Sequence, residues 1–312
     1  MRLGWTRSVP VLAPSADEVQ AMVRAGLPDA RVTGFCNVEG GFANTNIRVD
    51  LEKGRALLRL YQRDAAQAPK EAAIARTIAS TVPVARTLHI GRFEKFHFAL
   101  VEWIEGPRLE IAIQTMTPQK RREAGLSVGA ALGAIHGIPF EQVGFIDANF
   151  KITYAFPEGG EFLLGFLRGS FIEGQANALL GPQLARAAMD YAAANRDLKW
   201  GGEPCLVHSD FNGSNILMRG TGIAAIIDWE FGMAGRPDID FGNLLRNHPD
   251  EIFLAGVVEA YRAMGHTLPQ NWRKLARLSD LVAWADILSR PGIHQSVADT
   301  ARIAIAETVA SG

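Results

Sequence analysis

The chain has 312 residues, of which 48% are hydrophobic and 21% charged, with a formal net charge of -1. That length permits a large core or two lobes of ordinary size, and the balanced charge excludes a disordered chain or one that coats nucleic acid. Cys36 and Cys205, the two cysteines, have no metal-ligand spacing, and each lies in an apolar run suited to a reduced, buried thiol. Pro10 and Pro14 interrupt the N-terminal apolar stretch, and no run reaches the ~18 apolar residues of a membrane helix. The expectation is a cytoplasmic protein with no membrane, nucleic-acid or evident protein partner.

Ser15 with Glu18 three residues on is a capping-box pattern and predicts a helix over 15–25. Residues 31–38, 44–51 and 55–61 then alternate as strands, joined by turns at Gly40-Gly41 and Lys53-Gly54. Without Cβ atoms, Gly40 and Gly41 would let backbone approach a phosphate, although a Gly-Gly hairpin is more often just a turn. In the third strand Leu57, Arg59 and Tyr61 share one face and Leu58 and Leu60 the other. Arg59 is thus embedded among apolar residues, as a snorkelling arginine or as one half of an ion pair. Pro69 suits a first helical turn, and the helix predicted over 70–80 puts Glu71 within reach of Arg59, an arrangement that can aim a cation at phosphate oxygens.

Strands over 86–90 and 96–103 complete a five-strand unit, and Glu102 to Pro107 carries the turn residues of a connector. The expected division is 1–101, connector 102–107, and 108–312. Thr117-Pro118 opens a helix running to about His136, and further helices are predicted over 161–180, 182–195, 250–264, 272–289 and 297–309. His136 is expected to be a packed, hydrogen-bonded core histidine rather than a ligand.

Cys205 to Gly232 gathers the groups suited to phosphate and metal chemistry. His208, Asp210 and Asn215 follow an apolar strand at 205–207, and Asp228 ends a second apolar run at 223–227. A carboxylate at the end of a buried strand gains nothing for packing and is costly if unpaired, so it implies a partner or a role, here holding Mg2+.

Together, HSDFNGSNIL and IIDWEFG resemble the catalytic and metal-binding segments of the aminoglycoside phosphotransferase and choline kinase-like superfamily. The order of five strands, one helix, connector and helical remainder matches as well. The resemblance implies an α+β, protein-kinase-like two-lobe fold, with a five-stranded antiparallel N-lobe sheet carrying one main helix and a mostly helical C-lobe. It implies ATP and Mg2+ as cofactors, the N-lobe binding nucleotide and the C-lobe holding the catalytic loop, metal site and acceptor. Asp210 matches the catalytic aspartate that takes the acceptor hydroxyl's proton, with His208 bracing its loop. Asn215 and Asp228 match the metal ligands, and hard oxygen ligands suit Mg2+ independently. Glu71 matches the helix glutamate, Arg59 stands where lysine is frequent, Gly40 and Gly41 fall at the phosphate-covering hairpin, and Glu102, Trp103 and Ile104 would offer backbone to adenine. Asp240 resembles the aspartate that ties down the catalytic loop. Four departures stand out: Ser209 replaces a common glycine; Asp-Trp-Glu replaces Asp-Phe-Gly, which favours a small acceptor over a protein; the Gly40-Gly41 hairpin lacks a full Gly-x-Gly-x-x-Gly; and Arg59, the most serious, puts a bulkier, permanently charged guanidinium where a lysine is frequent.

The implied activity is transfer of the γ-phosphate to a small-molecule hydroxyl, on an aminoglycoside-type antibiotic in a resistance enzyme. Choline, homoserine, thiamine or an amino sugar would use the same machinery, and a non-catalytic nucleotide-binding module is the remaining alternative. Lys and Arg number 14 against 9 Asp and Glu in residues 1–100, and 18 against 24 beyond. Glu158, Glu161, Glu173, Asp190 and Asp197 supply part of that acidity and suggest a cationic acceptor.

Overall fold

Both bonds of the capping box form at Ser15: its hydroxyl accepts from Glu18 N–H at 3.3 Å, and Glu18 accepts from Ser15 N–H at 2.6 Å. The helix α1 (Ala16–Gly26) therefore begins where the local sequence dictates. The structure is a computed structural model and describes residues 10–38, 44–157, 159–246 and 250–311. After α1 come β1 (Val32–Asn37), β2 (Thr45–Leu51), β3 (Arg55–Tyr61), α2 (Gln67–Ile78), β4 (Thr87–Phe93) and β5 (Phe96–Glu102). The strands form an antiparallel five-stranded sheet in the order β1-β2-β3-β5-β4.

One face of this sheet is apolar. Ile47, Val49, Leu58, Leu60 and Leu100 are fully buried against Val19, Met22 and Val23 of α1, and each such side chain contributes roughly 1.5–3 kcal/mol. The alternation of β3 turns Leu57, Arg59 and Tyr61 the other way, as the sequence predicts, and Arg59 pairs in register with Asn46 and Ala99. Cys36 departs from expectation. It is exposed, on the edge strand β1, whereas Cys205 is buried and burial pushes its thiol up.

Beyond the connector the chain runs through α3 (Leu109–Ala112), α4 (Pro118–His136), β6 (Gly144–Ile146), β7 (Ile152–Ala155), α5 (Gly160–Phe171), α6 (Ala176–Leu180) and α7 (Pro182–Asn195). It continues as β8 (Cys205–Val207), β9 (Ile216–Arg219), β10 (Gly222–Ile226), β11 (Met233–Gly235), α8 (Pro237–Leu245), α9 (Glu251–Ala263), α10 (Trp272–Ser289) and α11 (Gln295–Ala310). The single helix expected over 161–180 is broken at 172–175. There a Cβ on Gly174 would lie 2.8 Å from the Gly169 and Ser170 carbonyl oxygens, and Asn177 Nδ2 donates to the Phe171 carbonyl at 2.9 Å.

Two short sheets carry the chemistry-bearing stretch. The strands at 205–207 and 222–226 belong to different ones: β8 pairs with β11 in the order β7-β6-β11-β8, and β10 pairs with β9. The first half docks onto that hairpin, since Ile226 N–H donates to the Pro83 carbonyl and Met218 N–H to the Pro107 carbonyl, each at 2.9 Å. Among the described residues no helix is long and apolar enough to cross a membrane.

Behind the hairpin, α4 and α9 approach through glycine. A Cβ on Gly125 would lie 2.1 Å from the Phe253 carbonyl oxygen, one on Gly129 2.2 Å from that of Val257, and one on Gly256 2.4 Å from that of Arg122. Backbone cannot yield as a side-chain tip can. Alanine gains about 1 kcal/mol of helix propensity over glycine, yet Gly129→Ala is expected to lower stability by about 1–3 kcal/mol through overpacking. Urea unfolding of the two proteins checks this; an unchanged or raised midpoint would contradict the packing described.

Candidate active site

The loop between β8 and β9 is shaped by one buried carboxylate. Asp240, near the start of α8 and 0% exposed, accepts from His208 N–H and Ser209 N–H at 2.8 Å each and faces His136 Nε2 at 3.2 Å. His136 also meets the Tyr261 hydroxyl at 2.9 Å, so it is the core histidine the sequence suggested. Ser209, where glycine is common, has φ +63°, a conformation that costs a non-glycine residue roughly 1–2 kcal/mol. Its anchored N–H holds it there. His208 is fully buried: Nδ1 accepts from Asp210 N–H at 3.3 Å, and Nε2–H donates to the Ile227 carbonyl at 3.0 Å. It therefore touches both catalytic-stretch strands and spans them.

Asp210 is ringed by donors. Asn212 Nδ2 donates to Oδ1 at 2.7 Å and Asn215 Nδ2 to Oδ2 at 2.8 Å. Arg246 Nη1 lies 3.9 Å from Oδ1, and its guanidinium is held by Asp280 on α10 and stands 5.4 Å over the Trp284 ring. These contacts fix the direction of the carboxylate. The Asn215 amide nitrogen is committed to Asp210, which leaves its carbonyl oxygen as the atom to offer a cation. Asn215 and Asp228 are brought together by the hairpin, where Ile227 N–H donates to the Asn215 carbonyl at 2.9 Å.

Asp228 leaves the hairpin in the left-handed region, with φ +70°, and meets Arg59. Nη2 of Arg59 is 2.8 Å from Asp228 Oδ1 and 3.3 Å from Glu230 Oε2, while Nη1 is 3.6 Å from Glu71 Oε2. The Arg59 side chain is 8% exposed. Burial works against its charge, and Glu71 and Asp228 outweigh burial, so it stays well above the ordinary arginine range. Burial likewise pushes Glu71 up to about 7 and raises Glu230, the latter helped by Asp228. Asn44 Nδ2 donates to Glu230 at 2.8 Å and Lys70 Nζ to the Glu230 carbonyl at 2.6 Å.

The Glu71–Arg59 proximity follows the reasoning from β3 and α2. The contacts to Asp228 and Glu230 do not, since expectation aimed Arg59 at phosphate. Glu230, Asn212, Arg246 and Asn44 went unremarked in sequence. Glu230 alone had a visible clue, as the third residue of Asp-Trp-Glu. Glu102 ends β5 and accepts from Arg86 Nε at 3.1 Å, and Trp103 Nε1 donates to Glu105 at 2.9 Å. Backbone groups of Trp103 and Ile104 take part in no turn or loop backbone hydrogen bond among the described residues. Gly40 and Gly41 lie outside the described residues, as does Glu158. Glu161, Glu173, Asp190 and Asp197 are exposed, and Glu161 and Asp197 share Arg196 at 3.8 Å. Solvated in this way, they carry no argument for a cationic acceptor.

The donor set fits Mg2+. Among the described residues no group of three or more His, Cys, Asp or Glu forms a cage, and Mg2+ does not need one: it takes one or two carboxylates and completes its shell with water and phosphate oxygens. Arg59 Nε and Glu71 Oε1 are buried without hydrogen-bond partners, so the cluster is not a closed salt bridge.

A profile of the phosphotransferase enzyme family, APH, matches residues 34–278. No curated protein matches the chain. Among solved structures, aminoglycoside phosphotransferase APH(4)-Ia superposes with TM-score 0.69 at 18% identity, covering 96% of this chain and 99% of that one. A thermostable mutant of it, in ternary complex with AMP-PNP and hygromycin B, gives 0.68 at 20% identity over 95% and 99%. The macrolide 2'-phosphotransferase MphH from Brachybacterium faecium, an apoenzyme, gives 0.64 at 16% identity over 93% and 98%. At these identities the superpositions establish the fold.

Removing the Asp240 carboxylate strands three donors, each costing about 1–3 kcal/mol when buried and unpaired. Asp240→Ala should thus lose on the order of 3 kcal/mol or more in urea unfolding; a loss below about 1 kcal/mol would contradict its anchoring role. Glu71 gives a pH dependence. Its folded pKa of about 7 stands above the ordinary 4.5, so the stability it contributes is complete below the unfolded value and is lost as pH rises towards about 7. In metal-free protein, Glu71→Gln should remove up to about 3 kcal/mol of the stability decline between about pH 5 and pH 8. Parallel profiles for the two proteins would contradict it.

Proposed function

Because the chain belongs to the phosphotransferase enzyme family, we propose that it moves the γ-phosphate of ATP to a hydroxyl of a small molecule, an aminoglycoside-type antibiotic. One observation carries the catalytic reading: Asp210 is held by two amide donors at 2.7 and 2.8 Å beside the hairpin that presents Asn215 and Asp228. Asp210 accepts the proton of the acceptor hydroxyl as its oxygen forms a bond to phosphorus and the bond from phosphorus to the ADP oxygen breaks. Asn212 and Asn215 keep the carboxylate aimed, and Arg246 stands beside it. Asn215 and Asp228 would hold Mg2+, which when bound would neutralise charge on the transferring phosphoryl group. His208 and Asp240 fix the loop that positions all of these.

The division of labour follows the chain. Residues 1–101 form the nucleotide-binding lobe, 102–107 the connector whose backbone meets adenine at Glu102 to Ile104, and 108–312 the lobe of catalytic loop, metal site and acceptor. Support for an antibiotic acceptor comes from the likeness to APH(4)-Ia, whose mutant binds hygromycin B with AMP-PNP, and to the macrolide enzyme MphH. The enzyme would act in the cytoplasm, where ATP is available.

Purified protein with Mg-ATP should phosphorylate at least one aminoglycoside in a panel that also holds macrolides, choline, homoserine, thiamine and amino sugars, read by ADP release and product mass. Turnover of homoserine or choline with none of any antibiotic would overturn the acceptor assignment. No turnover at all, with nucleotide binding retained, would overturn catalysis. Asp210→Asn should lower kcat by about 10²–10⁴ while leaving nucleotide affinity nearly unchanged; equal loss of nucleotide binding would show that Asp210 has another role.

A further inference from the structure

Arg59 occupies one of the two carboxylate oxygens that Asp228 could offer to a divalent cation. Its Nη2 is 2.8 Å from Asp228 Oδ1 and 3.3 Å from Glu230 Oε2, and its other terminal nitrogen faces Glu71 at 3.6 Å. The three carboxylates come from different places, Glu71 on α2 and the other two in the turn after β10, so a single guanidinium gathers them. Asn44 at 2.8 Å and the Lys70 ammonium on the Glu230 carbonyl at 2.6 Å hold Glu230 in place from two further sides. At 8% exposure the guanidinium is screened little by solvent or salt.

A guanidinium differs from an ammonium in this setting. It is permanently charged, planar and many-handed, so it can bridge Asp228, Glu230 and Glu71 at once, where an ammonium is a compact point charge. A divalent ion bound through Asp228 Oδ1 would come within a few ångströms of Nη2, and two cations so close in a buried site repel strongly. Metal binding through that oxygen therefore requires Arg59 to move, and binding nearby is weakened while it stays. The guanidinium has one natural alternative partner, since phosphate oxygens match its fork as well as carboxylates do.

We propose that Arg59 is a tethered counter-ion that competes with the divalent cation for the Asp228 and Glu230 carboxylates, so that metal binds tightly only together with a nucleotide whose phosphates draw Arg59 away. This rests on the reading of Asp228 as a metal ligand. The arginine is then a device that couples metal to nucleotide, rather than a damaged lysine. Without nucleotide the protein keeps its carboxylates neutralised from within and holds little free metal.

Mn2+ titration of the nucleotide-free protein, followed by the electron paramagnetic resonance of the free ion, tests this with the metal alone. Arg59→Lys keeps the charge and loses the bridge, so Mn2+ affinity should rise by about tenfold. The rise in Mn2+ affinity on adding AMP-PNP, measured against AMP-PNP and Mn2+ without protein, should shrink by a similar factor. Equal or weaker Mn2+ binding in Arg59→Lys, with binding abolished in Asp228→Ala, overturns the competition and leaves the metal site standing. Mn2+ binding unaffected by Asp228→Ala overturns the metal-site reading itself. Should Arg59→Lys fail to fold, Arg59→Gln replaces it: competition requires tighter Mn2+ binding there too, and equal or weaker binding overturns it.

Discussion

A guanidinium taken out of water has to be surrounded by anions, and here that requirement falls on Arg59. The alternation of β3 turns it away from the core that Leu58 and Leu60 build with α1, toward α2 and the turn after β10. Glu71, Asp228 and Glu230 answer from those elements at 2.8 to 3.6 Å. Desolvation largely offsets the attraction in such a cluster, so its worth lies less in net stability than in the geometry it enforces. Breaking it from one side leaves an uncompensated buried charge. Arg59 thereby links the sheet-bearing half, through β3 and Glu71 of α2, to Asp228 and Glu230 in the turn after β10.

A second buried carboxylate does the same work from behind. Asp240 uses both oxygens to hold the backbone of His208 and Ser209, and so dictates the path of the loop that carries Asp210. His208 then reaches across to the Ile227 carbonyl, tying the loop to the hairpin strand that ends on Asp228. Asp210, Asn215 and Asp228 are thereby tied into one hydrogen-bonded unit. The long α4 and α9 pair, drawn together through Gly125, Gly129 and Gly256, backs it with a core that has no room to shift.

Much of this was legible in the sequence where the physics is local. The capping box at Ser15, the faces of β3, the Thr117-Pro118 helix start and the spacing of His208, Asp210, Asn215 and Asp228 each depend on residues close along the chain. The packed role of His136 follows from its place on an apolar helix. What escaped is set by distance or brevity. Asn44 meets Glu230 across 186 positions and Arg246 meets Asp280 across 34, with no local pattern to announce either. β6, β8 and β11 have three residues each, too few to show a period, although the apolar run before His208 marked β8. The break at Gly174 and the exposure of Cys36 depend on tertiary neighbours: a tight return of the chain in one case, and a place on an edge strand in the other.

Arg59 and Asp228 form a coupled pair across the two halves. A double-mutant cycle on unfolding free energy, with Arg59→Met, Asp228→Asn and the double variant in metal-free protein, tests it most directly. Coupling of about 1–3 kcal/mol is the expected result for two groups in one buried network. Additivity within about 0.5 kcal/mol would mean that the two side chains act independently, and would contradict the account.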